Sequence, residues 1–462
     1  MTDTTERPTA PPSGGDSYFK LQERGTSVGT EVRAGFTTFL VMAYIIFVNP
    51  GILGNMPGAD PAAIGAATAL VAGLLTIVMG VVANVPIAMA AGLGINAAVA
   101  FGLVLGQGLT PEGAMGVIVI EGVVVALLVL VGLREAIMHA VPMALKRAIG
   151  VGIGLFILFI GFVNGDLIGV PEAASTGVDT IVPVEFIFPN TPAAWVTLIG
   201  LLITVVLYAR KVPGALIISI LLTTVVALLW GVATIPDNFS VTPSFTTLGA
   251  FDLTNVFTVL GTVSALLTIF SFMLTDFFDT MGTATAIAEQ ADLVDEDGKP
   301  ENVGRLLFVD SLGAAVGGAA GVSSNTSYIE SSAGVAEGGR TGLTSIVVGV
   351  LFLLAIFVSP LAGIIPTQAT APVLILVGFL MASLLKGIDF TDIEEGFPAL
   401  LTMVLMPLTF SITVGIGAGF VMYTLIKVVR GKAGEVHPLM WVVTLAFIIY
   451  FGQAVIGSAI SA

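Results

Sequence analysis

The sequence predicts an all-α polytopic membrane protein of about fourteen transmembrane helices in two inverted seven-helix repeats, with short broken helices at the third and tenth spans. Three observations carry this. Hydrophobic residues make up 56% of the 462 and charged residues only 10%, a balance outside the range of soluble domains. Apolar runs of about twenty residues, the length that crosses a bilayer core, recur along the whole chain. A shift of half the chain length lays Phe36, Thr37, Phe39, Met42 and Phe47 on Leu267, Thr268, Phe270, Met273 and Phe278, and the stretch 92–96 on 323–327.

The first seventeen residues, rich in Thr, Pro, Gly and Asp and without an apolar core, read as a disordered cytoplasmic tail. Spans follow at 33–53, 62–83, 86–106, 112–132, 143–164, 192–210, 213–233, 257–284, 304–320, 323–338, 341–358, 370–386, 412–430 and 438–457. The piece 397–411, with Pro398 and Pro407, is short for a full span and is expected to be half-spanning or interfacial. Seven spans per half is an odd number, so true repeats at 18–256 and 257–462 must run in opposite directions through the membrane.

Orientation follows from Lys and Arg. Lys20, Arg24 and Arg33, then Arg134, Lys146 and Arg147, then Arg210 and Lys211, Lys299 and Arg305, Arg340 and Lys386 all alternate onto one side. The loops 166–191 and 235–256 have none, which puts the amino terminus in the cytoplasm and the chain in the plasma (inner) membrane. Lys427, Arg430 and Lys432 fall on the wrong side unless 397–411 crosses. The net charge of −15 suggests an acidic surface suited to a salty medium and says nothing of substrate. With no cysteine, and with His139 and His437 both in expected loops, thiol, metal and triad chemistry have little to work with, so neither an enzyme nor a metal or other cofactor is expected.

Carboxylates are costly in hydrocarbon unless they face a cavity or a partner, so those inside spans mark function. Asp276, Asp279, Thr280 and Thr283 lie at i, i+3, i+4 and i+7, a single polar stripe on one helix. Glu330 follows Ser323, Ser324, Asn325, Thr326 and Ser327, whose small polar side chains compete for backbone hydrogen bonds and break helix. Irregular backbone at that depth survives only where it lines a cavity or is buried in protein. The matching stretch in the first half, 91–96, carries two glycines and Asn96, an amide that both donates and accepts. Glu121 and Asp310 stand alone in apolar spans; they are expected to be paired structurally, with a proton path as the other reading. Gly313, Gly317 and Gly321 mark close helix packing.

The stretches 21–26 (LQERGT) and 30–50 (TEVRAGFTTFLVMAYIIFVNP), with GLGIN at 92–96, TDFFDT at 275–280 and SYIES at 327–331, resemble the AzgA-like hypoxanthine/guanine permeases of the nucleobase and cation symporter group. The resemblance runs from about residue 18 to the end. It implies a core domain of spans 1–4 and 8–11, a gate domain of spans 5–7 and 12–14, and an elevator cycle importing hypoxanthine, guanine or adenine with a proton. Sodium is the alternative ion. It implies that Asn96, Asp276 and Glu330, with Ser327 beside them, hold the purine, with Asp279 and Thr280 supporting. Phe270, Phe272, Phe277 and Phe278 are candidates for a wall against the ring. Besides purine, cation and lipid, a homodimer partner is left open and no nucleic acid is expected. A sulfate-type anion carrier of the same fold is disfavoured by the acids, and an intramembrane aspartyl protease by having both aspartates on one helix.

Overall fold

The computed structural model describes residues 18–132, 140–171, 184–235, 242–294 and 301–461, with side chains described as far as residue 452. The tail 1–17, Arg134, His139, Lys299 and parts of the loops 166–191 and 235–256 lie outside the described residues. Among the described residues, nine helices are long and apolar enough to cross a membrane. The fold is an all-α polytopic membrane protein.

The first half runs α1 (Val28–Met42), α2 (Ile45–Leu53), α3 (Pro61–Val82), β1 (Met89–Ala91), α4 (Leu93–Ala97, continued by a wider helical turn over Ala98–Gly106), α5 (Pro111–Leu130) and α6 (Met143–Asn164). A short hairpin of β2 (Ile168–Gly169) and β3 (Glu185–Phe186) leads to α7 (Pro192–Ala209) and α8 (Ala215–Leu229). Three of these helices start by one device: Asp60, Thr110 and Thr191 cap α3, α5 and α7 by accepting amide hydrogen bonds, each followed by Pro in the first turn, where its missing N–H costs nothing.

The second half repeats this order: α9 (Leu253–Leu260) and α10 (Thr262–Gln290), α11 (Val303–Ala319), β4 (Asn325–Ser327), α12 (Ser331–Ala336), α13 (Gly342–Ala355) and α14 (Thr367–Met381). It ends with α15 (Ile393–Thr409), α16 (Ile412–Val429) and α17 (Pro438–Ser461). The expected eighth span, 257–284, is broken at Gly261, whose φ of 73° turns the chain between α9 and α10, and then continues to Gln290.

Packing joins the halves in two groups. α3 lies on α13 and α11, α5 on α11, α10 on α5, β4 and α12, α1 on α13 and α12, and β1 on β4; separately, α6 lies on α14 and α15, α7 and α8 on α14, and α15 on α16. In the first group the backbones touch. A Cβ on Gly342 would overlap the carbonyl oxygen of Gly80, and one on Gly122 would overlap the backbone of Ala315. Glu31, fully buried on α1, fastens the start of α13 by accepting from the amides of Arg340, Thr341 and Thr344 and the hydroxyls of Thr341 and Thr344.

The piece 397–411, expected to be half-spanning or interfacial, lies within a longer helix. The helix is Ile393–Thr409, continuous through Pro398 and Pro407 because α6 and α16 pack along it, as neighbours do for prolines in membrane helices. Glu394 at its start bridges Lys427 (2.7 Å), Lys432 (2.6 Å) and Arg430 (3.0 Å) from the end of α16. α15 and α16 therefore form a hairpin whose open ends meet, and Lys427, Arg430 and Lys432 lie at the same end of it as Glu394, next to the segment that follows Lys386.

Hydrogen bonds from Lys427 and Lys432 hold the Glu394 carboxyl at about 2, below its ordinary 4.5. A depressed folded value means stabilisation that is full above the unfolded value and lost as pH falls from about 4.5 through 2. In detergent, the unfolding temperature of the native protein should therefore fall over that window more steeply than that of Glu394→Gln. Parallel curves would show that the cluster adds nothing.

Candidate functional site

β1 and β4 pair antiparallel, Met89 with Ser327, Ala90 with Thr326 and Ala91 with Asn325, and each runs on into a short helix, α4 or α12. This is how small polar residues at membrane depth satisfy their backbone: the two interrupted segments bond to each other. The half-chain shift set 92–96 on 323–327; the two strands that pair, 89–91 and 325–327, are 236 residues apart. The expected helix-packing role of Gly313 and Gly317 is corrected. A Cβ on Gly313 would overlap the carbonyl oxygen of Asn325, and one on Gly317 that of Ser323, so these glycines admit a strand against α11.

Asp310 on α11 holds β4 in place. Its Oδ1 accepts from the Ser327 amide and hydroxyl, both at 2.9 Å, and its Oδ2 from the Thr280 hydroxyl at 2.6 Å; Thr280 also meets Thr326 at 2.8 Å. Thr280 and Asp310 are thus tied to each other behind the strand pair. Asp276 accepts from the Ser324 hydroxyl at 3.0 Å. Glu121, fully buried on α5, has neither oxygen hydrogen-bonded, so the expected structural pairing is not found.

Between the strand pair, α10 and the second helix group lies a cavity of about 120 Å³, several times the roughly 15 Å³ that one water needs. Its wall takes Glu330, Ser327, Asp279, Thr275, Thr283 and Thr326, the aromatic rings of Tyr44 and Tyr328, the backbone of Gly92–Ile95, and Ile153, Val377 and Met381. Tyr44 donates to Glu330 Oε1 at 2.6 Å, and Tyr328 donates to the Ala91 carbonyl at 2.6 Å. The side chain of Asp279 is exposed to this space, and Ile329 at its rim is 49% exposed.

Of the residues expected from sequence, Glu330, Ser327 and Asp279 come together on the cavity wall. Asp276, Thr280, Asp310 and Glu121 stand behind it, and none of Phe270, Phe272, Phe277 or Phe278 lines it. Asn96 is fully buried, one residue past the lining stretch; its Nδ2 donates to Asn49 Oδ1 at 2.7 Å, and Asn49 donates in turn to Thr68. Sequence reasoning missed Asn49 and Tyr44. The signal for Asn49 was a lone amide inside the apolar run 45–53, while Tyr44 is placed by the break between α1 and α2, which has no sequence mark.

Asn96→Ala would leave Asn49 Oδ1 buried without its donor, a loss of roughly 1 to 3 kcal/mol. The expected result is a lower unfolding temperature. An unchanged unfolding temperature with lost ligand affinity would instead put Asn96 in contact with the ligand.

Two interrupted segments crossing beside a polar cavity, inside a bundle of membrane-spanning helices, are the arrangement from which solute carriers build a binding site. Among the described residues, no group of three or more His, Cys, Asp or Glu is placed to hold a metal. The same fold is found in the transmembrane domain of the cyanobacterial bicarbonate transporter BicA (TM-score 0.59, 15% identity, 85% of this chain and 97% of that one). It is also found in the murine anion transporter Slc26a9 in its inward-facing state (TM-score 0.60, 11% identity, 92% and 74%). The profile of the Permease family, Xan_ur_permease, matches residues 29–418, and the chain belongs to that family. It is a membrane permease and not an enzyme. Its relatives include the guanine/hypoxanthine permease PbuG of Bacillus subtilis, 40% identical over 94% of this chain and 99% of that protein. The adenine permease AdeP of Escherichia coli is 41% identical over 94% and 95%.

Proposed function

We propose that the chain imports purine nucleobases (hypoxanthine, guanine or adenine) by symport with a cation, a proton first and sodium as the alternative, in an elevator-type cycle. The observation that carries this reading is the asymmetry of the cavity. Every hydrogen-bonding side chain on its wall belongs to the first helix group, while the second group supplies only Ile153, Val377 and Met381. A solute held there keeps its polar contacts while the first group slides past an apolar face.

A purine fits the wall. It is flat and neutral, with ring N–H donors for Glu330 and Asp279, acceptors for hydroxyls, and a π face for Tyr44 or Tyr328. Tyr44 holds the Glu330 carboxyl in place, and a carboxylate that gains a proton on one side and yields it on the other couples the cycle without covalent chemistry. Two cavity acids would repel an oxyanion, which sets this chain apart from the anion carriers of the same fold. The purine assignment also draws on the relatives that are purine permeases. Asp276, Glu121 and Asp310, behind the wall, belong to the coupling path in this reading, with Thr280 supporting.

In the same reading the repeats 18–256 and 257–462 are inverted, the first helix group is the core and the second the gate. The basic residues of the loops put the amino terminus in the cytoplasm of a plasma-membrane protein, and a homodimer is left open. Radiolabelled bases offered to vesicles under an imposed pH or sodium gradient test the proposal. Purines should accumulate with the gradient and uracil should compete poorly; uptake of uracil or sulfate with purines ignored would overturn it.

A further inference from the structure

Beside the cavity, a cation–π contact spans the seam between the two helix groups. Lys146, half-buried near the start of α6, places its Nζ 5.5 Å from the centre of the Phe278 ring on α10, within the range of a cation–π interaction. Lys146, Gly150 and Ile153 lie at i, i+4 and i+7, so the lysine sits two turns along α6 from a residue of the cavity wall, on the same face. Phe278 directly precedes Asp279. From Asp279 an exposed stripe continues along α10 through Gly282, Ala286 and Glu289, and a Cβ on Gly282 would meet open space. An exposed face of α10 thus leads from the cavity wall to the end of the helix, where Gln290 bonds the backbone of Ser332.

We propose that Lys146 is a positioning residue that holds this open arrangement, its ammonium docking the second group onto the Phe278 ring of the first. The inference rests on the two groups sliding past each other. If α10 moves along its axis by one or two turns, so that residues after Phe278 come level with Lys146, Gly282 and then Ala286 replace the ring and offer an ammonium nothing; Asp279 faces the cavity, and Glu289 comes level only after about three turns. The contact is then lost without replacement, and the open state alone is favoured.

The absence of cysteine makes the test direct. In the full-length Ala286→Cys protein, a membrane-impermeant maleimide should label the stripe without any substrate present. Adding Lys146→Met should slow labelling about two- to fivefold, the loss of one exposed cation–π contact. Lys146→Arg should restore the rate, since guanidinium also stacks on rings. Phe278→Leu should match Lys146→Met, and the two together should slow labelling no further. Unchanged labelling in Phe278→Leu or Lys146→Met, or no rescue by arginine, would overturn the proposal. Because labelling is read without purine, it answers separately from uptake: a chain that carries no purine yet responds in labelling leaves this inference standing and removes the substrate assignment.

Discussion

Glu330→Gln is expected to abolish concentrative purine uptake while leaving a folded protein. The amide keeps the shape of the side chain and can still accept the Tyr44 hydroxyl that now donates at 2.6 Å, so the half-helix stays anchored. What it removes is the charge that meets a ring N–H and the site that takes up a proton. Losing a charge-assisted hydrogen bond weakens binding by about ten- to a hundredfold, and losing the proton site removes accumulation outright. Asp276→Asn should separate the two effects: Asp276 stands off the cavity wall and bonds Ser324, so purine exchange should persist while accumulation against a gradient is lost. Accumulation by both variants with normal pH dependence would move coupling to Asp279, Glu121 or Asp310.

Gly342→Val is expected to yield no folded protein. The Cβ of any residue at 342 would overlap the backbone of Gly80, where α3 and α13 cross, and backbone has no rotamer with which to yield. A cost above about 4 kcal/mol is the range of severe overpacking. Gly282→Ala is the control: its Cβ meets nothing within 4 Å, and alanine favours helix, so this variant should be recovered in full. Size-exclusion profiles of the two fluorescently tagged proteins in detergent compare them directly. A monodisperse Gly342→Val protein would show that the two helices separate at little cost.

Much of this architecture was legible in the sequence because a membrane permits few solutions. Apolar runs of the right length gave the spans, and Ser323–Ser327 could only be interrupted backbone facing protein or a cavity. Glu330, Ser327 and Asp279 stood out because acids and hydroxyls are costly inside an apolar span unless they face a cavity or a partner. Which of the acids touches the cavity was not legible. Asp276 and Asp279 differ by less than one turn of α10, and the rotation that points Asp279 into the space and Asp276 toward Ser324 is set by packing against α5 and β4. The same holds for the aromatic wall: four phenylalanines beside the aspartates were nearer in sequence, but tyrosines at a helix break and after a strand occupy the position. Helix α15 starts earlier and runs on unbroken because contacts from α6 and α16 support it, whereas its prolines count against a helix in isolation.

The β1–β4 ladder also governs how the protein is made. Tyr328, which closes onto Ala91, is 237 positions further along the chain. At 5 to 20 residues per second, ribosomes need on the order of ten seconds or more to supply the partner strand after β1 has emerged. Through that interval Met89 can bond the Thr76 hydroxyl of its own half, but the β1 backbone groups that face β4 lack their partner in a solvent that provides none. The first half must therefore wait in a partly inserted or borrowed-partner state, and the binding site is among the last parts of the molecule to exist. Truncated chains ending before residue 325 should consequently be targets for membrane quality-control proteases, and two separately expressed halves should protect each other from degradation only when both are present.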